Sequence, residues 1–271
     1  MMLDARRAER RFVLLTATRW LPVGLVLGLT VLLPLERGLS LAEVGGLLAI
    51  AGFVSLGLEL PTGGLADAIG RRPLLVAAAS IALISTMVFV LADSTPWFAV
   101  ALVLQGVFRA LDSGPLEAWF VDAVHASDPV AQPDRGLSRA GATLGGAIAG
   151  GALLSGVIVA WHPLSIGRAL VPPFLLATAC QLAHLVLTLL LVREPPRVRM
   201  NADAGARPEV VVRAAIRLLH DSSQLRWLVA VEVFWAVAMI AFETLTPVRF
   251  AELLGGEDAA GALFGPAAAA A

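Results

Sequence analysis

Of 271 residues, 58% are hydrophobic and 15% charged, and the 25 glycines lift the apolar share to about 67%, against about 45–50% in soluble domains. With a mean hydropathy of +0.82, this argues against a soluble globular enzyme and a disordered chain, and the single cysteine, Cys180, can close no internal bridge. All 20 basic residues are arginine and the net charge is −1, so the chain carries no overall basic field for nucleic acid.

A membrane-spanning helix needs about 20 mostly apolar residues. Seven stretches qualify in chain order: Phe12–Leu33, Ala42–Leu60, Leu74–Leu91, Trp97–Phe120, Ala140–Trp161, Ala169–Val192 and Trp227–Pro247. An eighth begins near Ala259 and runs to Ala271. The runs are too long for the alternating strands of a membrane barrel. Arg6, Arg7, Arg10 and Arg11 precede the first run as they would in a signal peptide. The run is longer than such a segment and lacks a small-residue cleavage site.

Orientation follows from the arginines, which favour cytoplasmic loops. The N-terminal tail, the second-to-third loop, the fourth-to-fifth loop and the segment after the sixth span hold 15 of them. The opposite loops hold only Arg37, Arg168 and Arg249. The N-terminus is therefore expected in the cytoplasm of a multi-pass protein of the cell membrane, with the lipid bilayer as its first partner. The long connection Arg193–Arg226 is expected on the same side. Within it Val210, Val211, Ala214 and Leu218 recur at helical spacing, which predicts an amphipathic helix over Glu209–His220. Three regions result: a six-helix half over 1–192, a cytoplasmic linker over 193–226, and a further membrane segment over 227–271.

Between the second and third spans stands Gly63-Gly64-Leu65-Ala66-Asp67-Ala68-Ile69-Gly70-Arg71-Arg72. It reads as a tight cytoplasmic turn, in which Gly63 and Gly70 permit close approach or positive φ. Asp67 can face a helix N-terminus, and Arg71 and Arg72 can pair with acids. The spacing G-x-x-x-D-x-x-G-R-R resembles the signature loop of the major facilitator superfamily, with Ala68 where that family usually carries a basic residue. Leu58-Glu59-Leu60-Pro61-Thr62-Gly63 is similar to members grouped with bacterial multidrug effluxers.

The resemblance implies an all-α membrane protein of major-facilitator type: a six-helix N-terminal half, a seventh helix and the start of an eighth. The family fold has twelve helices in two similar halves, so the chain reads as an incomplete copy. The resemblance also implies that Asp67 latches against a helix of the other half. It further implies that Arg71 pairs with an acid at the end of the fourth helix, here Asp122; a solvated helix-end carboxylate is the alternative for Asp122.

An ionisable side chain at the centre of a spanning helix costs about 2.5–3.5 kcal/mol on insertion scales. Arg19 lies in the first span; Arg109, Asp112 and Glu117 in the fourth; Glu59 in the second; His184 in the sixth; Glu232 and Glu243 in the seventh. Arg109 and Asp112 are three apart and share a helix face. They either neutralise each other, or Asp112 or Glu117 binds a proton in a cavity; the resemblance implies that Arg19 faces Asp112, because in the family the first and fourth helices line the central cavity. Glu232 and Glu243 read as rim carboxylates or as coupling groups, and His184 as a packed residue. The fifth span holds Gly141/Gly145 and Gly146/Gly150, two G-x-x-x-G pairs that let helices approach closely. The Gly-Pro pair that marks proton-exchanging exporters of the family is missing there.

No metal-ligand spacing, phosphate loop or catalytic triad is found, and neither a cofactor nor an enzymatic activity is expected. The expected function is secondary transport of a small molecule by alternating access between two helical halves, as a proton-coupled exporter or antiporter. The alternative is a non-transporting membrane protein that keeps the half-bundle for sensing or interaction.

Overall fold

The computed structural model describes residues 4–161, 169–193, 217–218 and 220–270; within those ranges a few side chains, among them those of Asp67 and Glu232, are not described. The expected amphipathic helix over Glu209–His220 lies almost wholly outside these residues. Among the described residues the chain is all helical, and six segments are long and apolar enough to cross a membrane. The helices are α1 (Ala5–Val26), α2 (Leu29–Glu36), α3 (Leu41–Ile69), α4 (Arg71–Leu91), α5 (Thr95–Asp112), α6 (Pro115–Ser127), α7 (Asp134–Trp161), α8 (Val171–Leu191), α9 (Ser223–Leu254) and α10 (Glu257–Ala270).

Two predicted spans are broken. The first divides into α1 and α2 at Leu27–Gly28, where Gly28 has φ +76°. The fourth divides into α5 and α6 at Ser113–Gly114, where Gly114 has φ +92° and Pro115 opens the next helix. A left-handed residue cannot continue a helix, and Gly adopts that conformation without strain. The predicted turn over Gly63–Arg72 is also shorter than expected. Helix α3 runs on through Ile69, and the reversal is carried by Gly70 alone, at φ +111°. Gly63 is therefore a helical residue.

Helix α1 packs on α7 and α8, α4 on α5 and α8, and α3 on α5. Helix α10 packs on α7 and α9. The buried side chains form two apolar clusters at opposite ends of the bundle. One gathers Leu29, Leu32, Phe89, Phe98, Leu170 and Phe174. The other gathers Phe12, Leu75, Leu116, Trp119, Phe120 and Val192, with the Phe12 and Phe120 rings stacked at 4.4 Å. Between them lies a polar layer of Thr16, Asp112, Gln181 and His184, all buried; the buried Ser85 and Ser155 lie nearer the first cluster. The bilayer core has no water to hydrogen-bond them, so these buried groups need internal partners. Ser85 donates to the Ala101 carbonyl at 2.8 Å, and Thr62 to the Ala110 carbonyl at 2.9 Å.

The glycines of α7 correct a second expectation. Gly141, Gly145, Gly146 and Gly150 face open space, so the two G-x-x-x-G pairs are not the close contacts. Those fall on Gly151 and Gly156. A Cβ on Gly151 would stand 2.5 Å from the Leu21 carbonyl oxygen of α1, and one on Gly156 2.6 Å from the Ala262 carbonyl oxygen of α10. Gly24 and Gly265 answer from the other side, where a Cβ would meet the Ile148 and Ala152 carbonyl oxygens of α7 at 2.2 and 2.1 Å. G-x-x-x-G spacing identifies one helix face, but neighbours on two different faces decide which glycines are needed.

Candidate functional site

The break in the fourth span builds the site. A helix leaves its last carbonyls and first N–H groups without intrahelical partners, with partial negative charge at its C-terminus and positive at its N-terminus. At Ser113–Gly114, both exposed, the two kinds of end meet partway along the fourth span. Arg19 of α1 answers the α5 end. Its Nη2 donates to the Asp112 carbonyl at 3.1 Å, and its Nε is paired with the Asp112 carboxylate. Glu117 sits in the first turn of α6, where an anion is favoured, and its Oε1 lies 3.5 Å from Arg19 Nη1. The Arg19 guanidinium also lies 5.0 Å from the centre of the Trp20 ring. Asp112 is only 5% exposed. The second Glu117 oxygen is enclosed and has no hydrogen-bond partner among the described residues.

One arginine thus faces two carboxylates, a buried Asp112 and a half-exposed Glu117, and with both ionised the triad carries one negative charge in excess. Around it stand two further polar contacts. Ser113 donates to Glu59 of α3 at 3.3 Å, and Thr18 and His184 Nδ1 share a hydrogen bond at 2.9 Å. His184 is 7% exposed and fixed by that bond on the α1-facing side of α8. Arg109 does not join them. It lies on the last turn of α5, exposed, and makes no ion pair among the described residues. Local neutralisation between Arg109 and Asp112 is therefore replaced by the long-range partner Arg19. Glu243 is exposed on α9, and Glu232 belongs to the same helix.

A second group lies at the end of the bundle that carries Gly70. Arg71, the first residue of α4, places its Nε 3.6 Å from Asp122 of α6. Arg72 turns elsewhere and donates to the Leu189 carbonyl of α8 at 3.0 Å. Arg11 donates to the Leu191 carbonyl at 2.8 Å, and the Trp119 indole to the Arg193 carbonyl at 2.9 Å. Carbonyls at the end of α8 are thus met by arginines from α4 and α1, and the chain just beyond it by the Trp119 indole of α6. Asp67 stands on the last turn of α3, one turn before Gly70.

The helix break and the α8 cap are the features that sequence reasoning missed. The first had a signal in Ser113-Gly114-Pro115, since a Gly-Pro pair punctuates helices. The second had none, because its acceptors are backbone atoms.

Residues 12–271 match the family described as Major Facilitator Superfamily. No curated protein matches the chain.

Proposed function

The chain belongs to the Major Facilitator Superfamily, and from that premise we propose that it is a proton-coupled exporter of a small molecule. The family is one of membrane transporters, and alternating access between packed helical bodies is its mode of work. The observation that carries the coupling is the triad at the broken fourth span. Arg19 serves both Asp112 and Glu117, and one negative charge is left in the polar layer between two apolar clusters. A proton taken up by either carboxylate completes neutrality, and its release restores the charge. Burying an unbalanced charge is costly in this setting, so loading and unloading the proton favours different exposures of the layer. The export direction is supported by the effluxer-like Leu58–Gly63 stretch.

The test is flux in proteoliposomes, using radiolabelled or fluorescent candidate compounds with and without an imposed pH gradient. Transport that rises with the gradient and collapses with a protonophore is expected. Flux indifferent to the gradient would remove the proton coupling, and no flux for any compound would favour the non-transporting reading.

We further assign the N-terminus and the 193–226 linker to the cytoplasm, on the strength of the 15-to-3 arginine asymmetry. Reporter fusions at Ser40 and Ala204 should read out on opposite sides of the membrane; the same side for both defeats the assignment.

A further inference from the structure

We propose that the first turns of α1 and α7 together form a binding site for the phosphate of an anionic phospholipid headgroup. The two helices run parallel and in contact: Glu9 of α1 is bonded to Arg139 of α7 at 2.5 Å, and further along Leu21 and Gly24 meet Gly151. One turn before the Glu9–Arg139 pair stand Arg6 on α1 and Arg135 on α7, so these two belong to one end of one interface.

The arginines of this end divide into two sets. Arg139 is taken by Glu9, and Arg11 by the Leu191 carbonyl. Arg6, Arg7, Arg10 and Arg135 are exposed and have no partner among the described residues. Arg6 and Arg10 are four apart, a spacing at which like charges repel, and the first turn of α1 contains no acidic residue. Asp4 and Asp134 are the exposed acids of the two helix starts. The four unpartnered arginines outnumber them by two, so among the described residues the patch carries an excess of two positive charges.

Depth identifies the counter-ion. The candidate span Ala5–Glu36 begins with these turns, and the apolar run starts immediately after them, with Phe12 already in the core. The guanidiniums therefore sit at headgroup level on the bundle perimeter. A guanidinium fork matches phosphate oxygens, and basic pockets between membrane helices favour anionic headgroups. The inference rests on membrane embedding alone and is independent of what the protein transports.

The experiment is native mass spectrometry of the purified protein in mixed micelles of phosphatidylglycerol and phosphatidylcholine, comparing lipid retained per molecule. Wild type should retain phosphatidylglycerol preferentially. Each arginine contributes up to about fivefold, the usual gain from a basic side chain near an anionic surface. The variant R6Q/R7Q/R10Q/R135Q should lose the preference, whereas R217Q/R249Q, exposed arginines elsewhere, should keep it. Should the quadruple variant fail to fold, R6Q/R10Q is read in its place, with a partial loss expected. Equal retention of the two lipids by wild type, or an undiminished preference in the variants of the patch, overturns the proposal. So does stabilisation by inorganic phosphate alone with no further gain from phosphatidylglycerol.

Discussion

Asp112→Asn is expected to abolish pH-driven flux while leaving membrane abundance and substrate exchange close to wild type. An asparagine keeps the shape and the acceptor oxygen for Arg19, and the Asp112 carbonyl that Arg19 also binds at 3.1 Å is unchanged. Arg19 retains a carboxylate partner in Glu117 at 3.5 Å. The triad becomes neutral with no proton to take up, so the coupling goes and the packing stays. Arg19→Gln should do the opposite. It leaves two carboxylates facing each other near the middle of the bundle, and removing one partner of a buried pair costs on the order of 3–5 kcal/mol. That variant should fall sharply in abundance and in detergent melting temperature. The double variant R19Q/D112N should recover most of the stability, because only Glu117 then carries charge, and recover none of the pH-driven flux. Abundance, melting temperature and flux measured on the three variants separate coupling from structure. Wild-type pH dependence in Asp112→Asn would take Asp112 out of the mechanism and move the role to Glu117.

How much of this was legible in the sequence depends on whether a constraint is local. The spans were, since lipid demands about 20 apolar residues from each continuous helix, and the runs stand out without any tertiary information. The break at Gly114 was legible in principle through Pro115. The break at Gly28 was not, because its reason lies in another helix: a Cβ there would meet the Phe264 ring of α10 at 2.3 Å. Spacing placed Arg109 and Asp112 on one helix face, and the break put Arg109 on the last, outward turn of α5 instead. The partner of Asp112 is 93 residues away in sequence; only the family resemblance implies that their helices face each other, since no periodicity encodes it. The glycines of α7 make the same point, for the pattern Gly141/Gly145 is present while the close contacts fall on Gly151 and Gly156.

Arg71→Ala and Asp122→Asn are each expected to lower transport by up to about fivefold without changing insertion. The pair is at 3.6 Å and half-exposed, with side-chain exposures of 24% and 48%. Such pairs contribute about 0.2–1 kcal/mol, too little to decide whether a bundle with two apolar clusters folds. Applied to a gate with two closely balanced states, the same energy changes their ratio by up to about fivefold. The contact is well placed to act on such a balance, because Arg71 follows directly on Gly70, where α3 gives way to α4, and Asp122 lies beyond the break on α6. Movement of α6 relative to α4 would therefore be felt first at this pair. Its neighbour Arg72 is bonded to the end of α8, so the same turn ties the fourth and sixth spans together. Asp67→Asn, one turn earlier on α3, should behave alike if the signature loop acts as a unit. The charge-reversed variant R71D/D122R separates a specific contact from a general need for positive charge at this end. Flux recovering to near wild type in the reversed pair, with both single reversals impaired, is the result expected of a gate. Full flux in Arg71→Ala and Asp122→Asn at equal membrane abundance would show that the pair is a solvated helix-end contact and that the gate lies elsewhere.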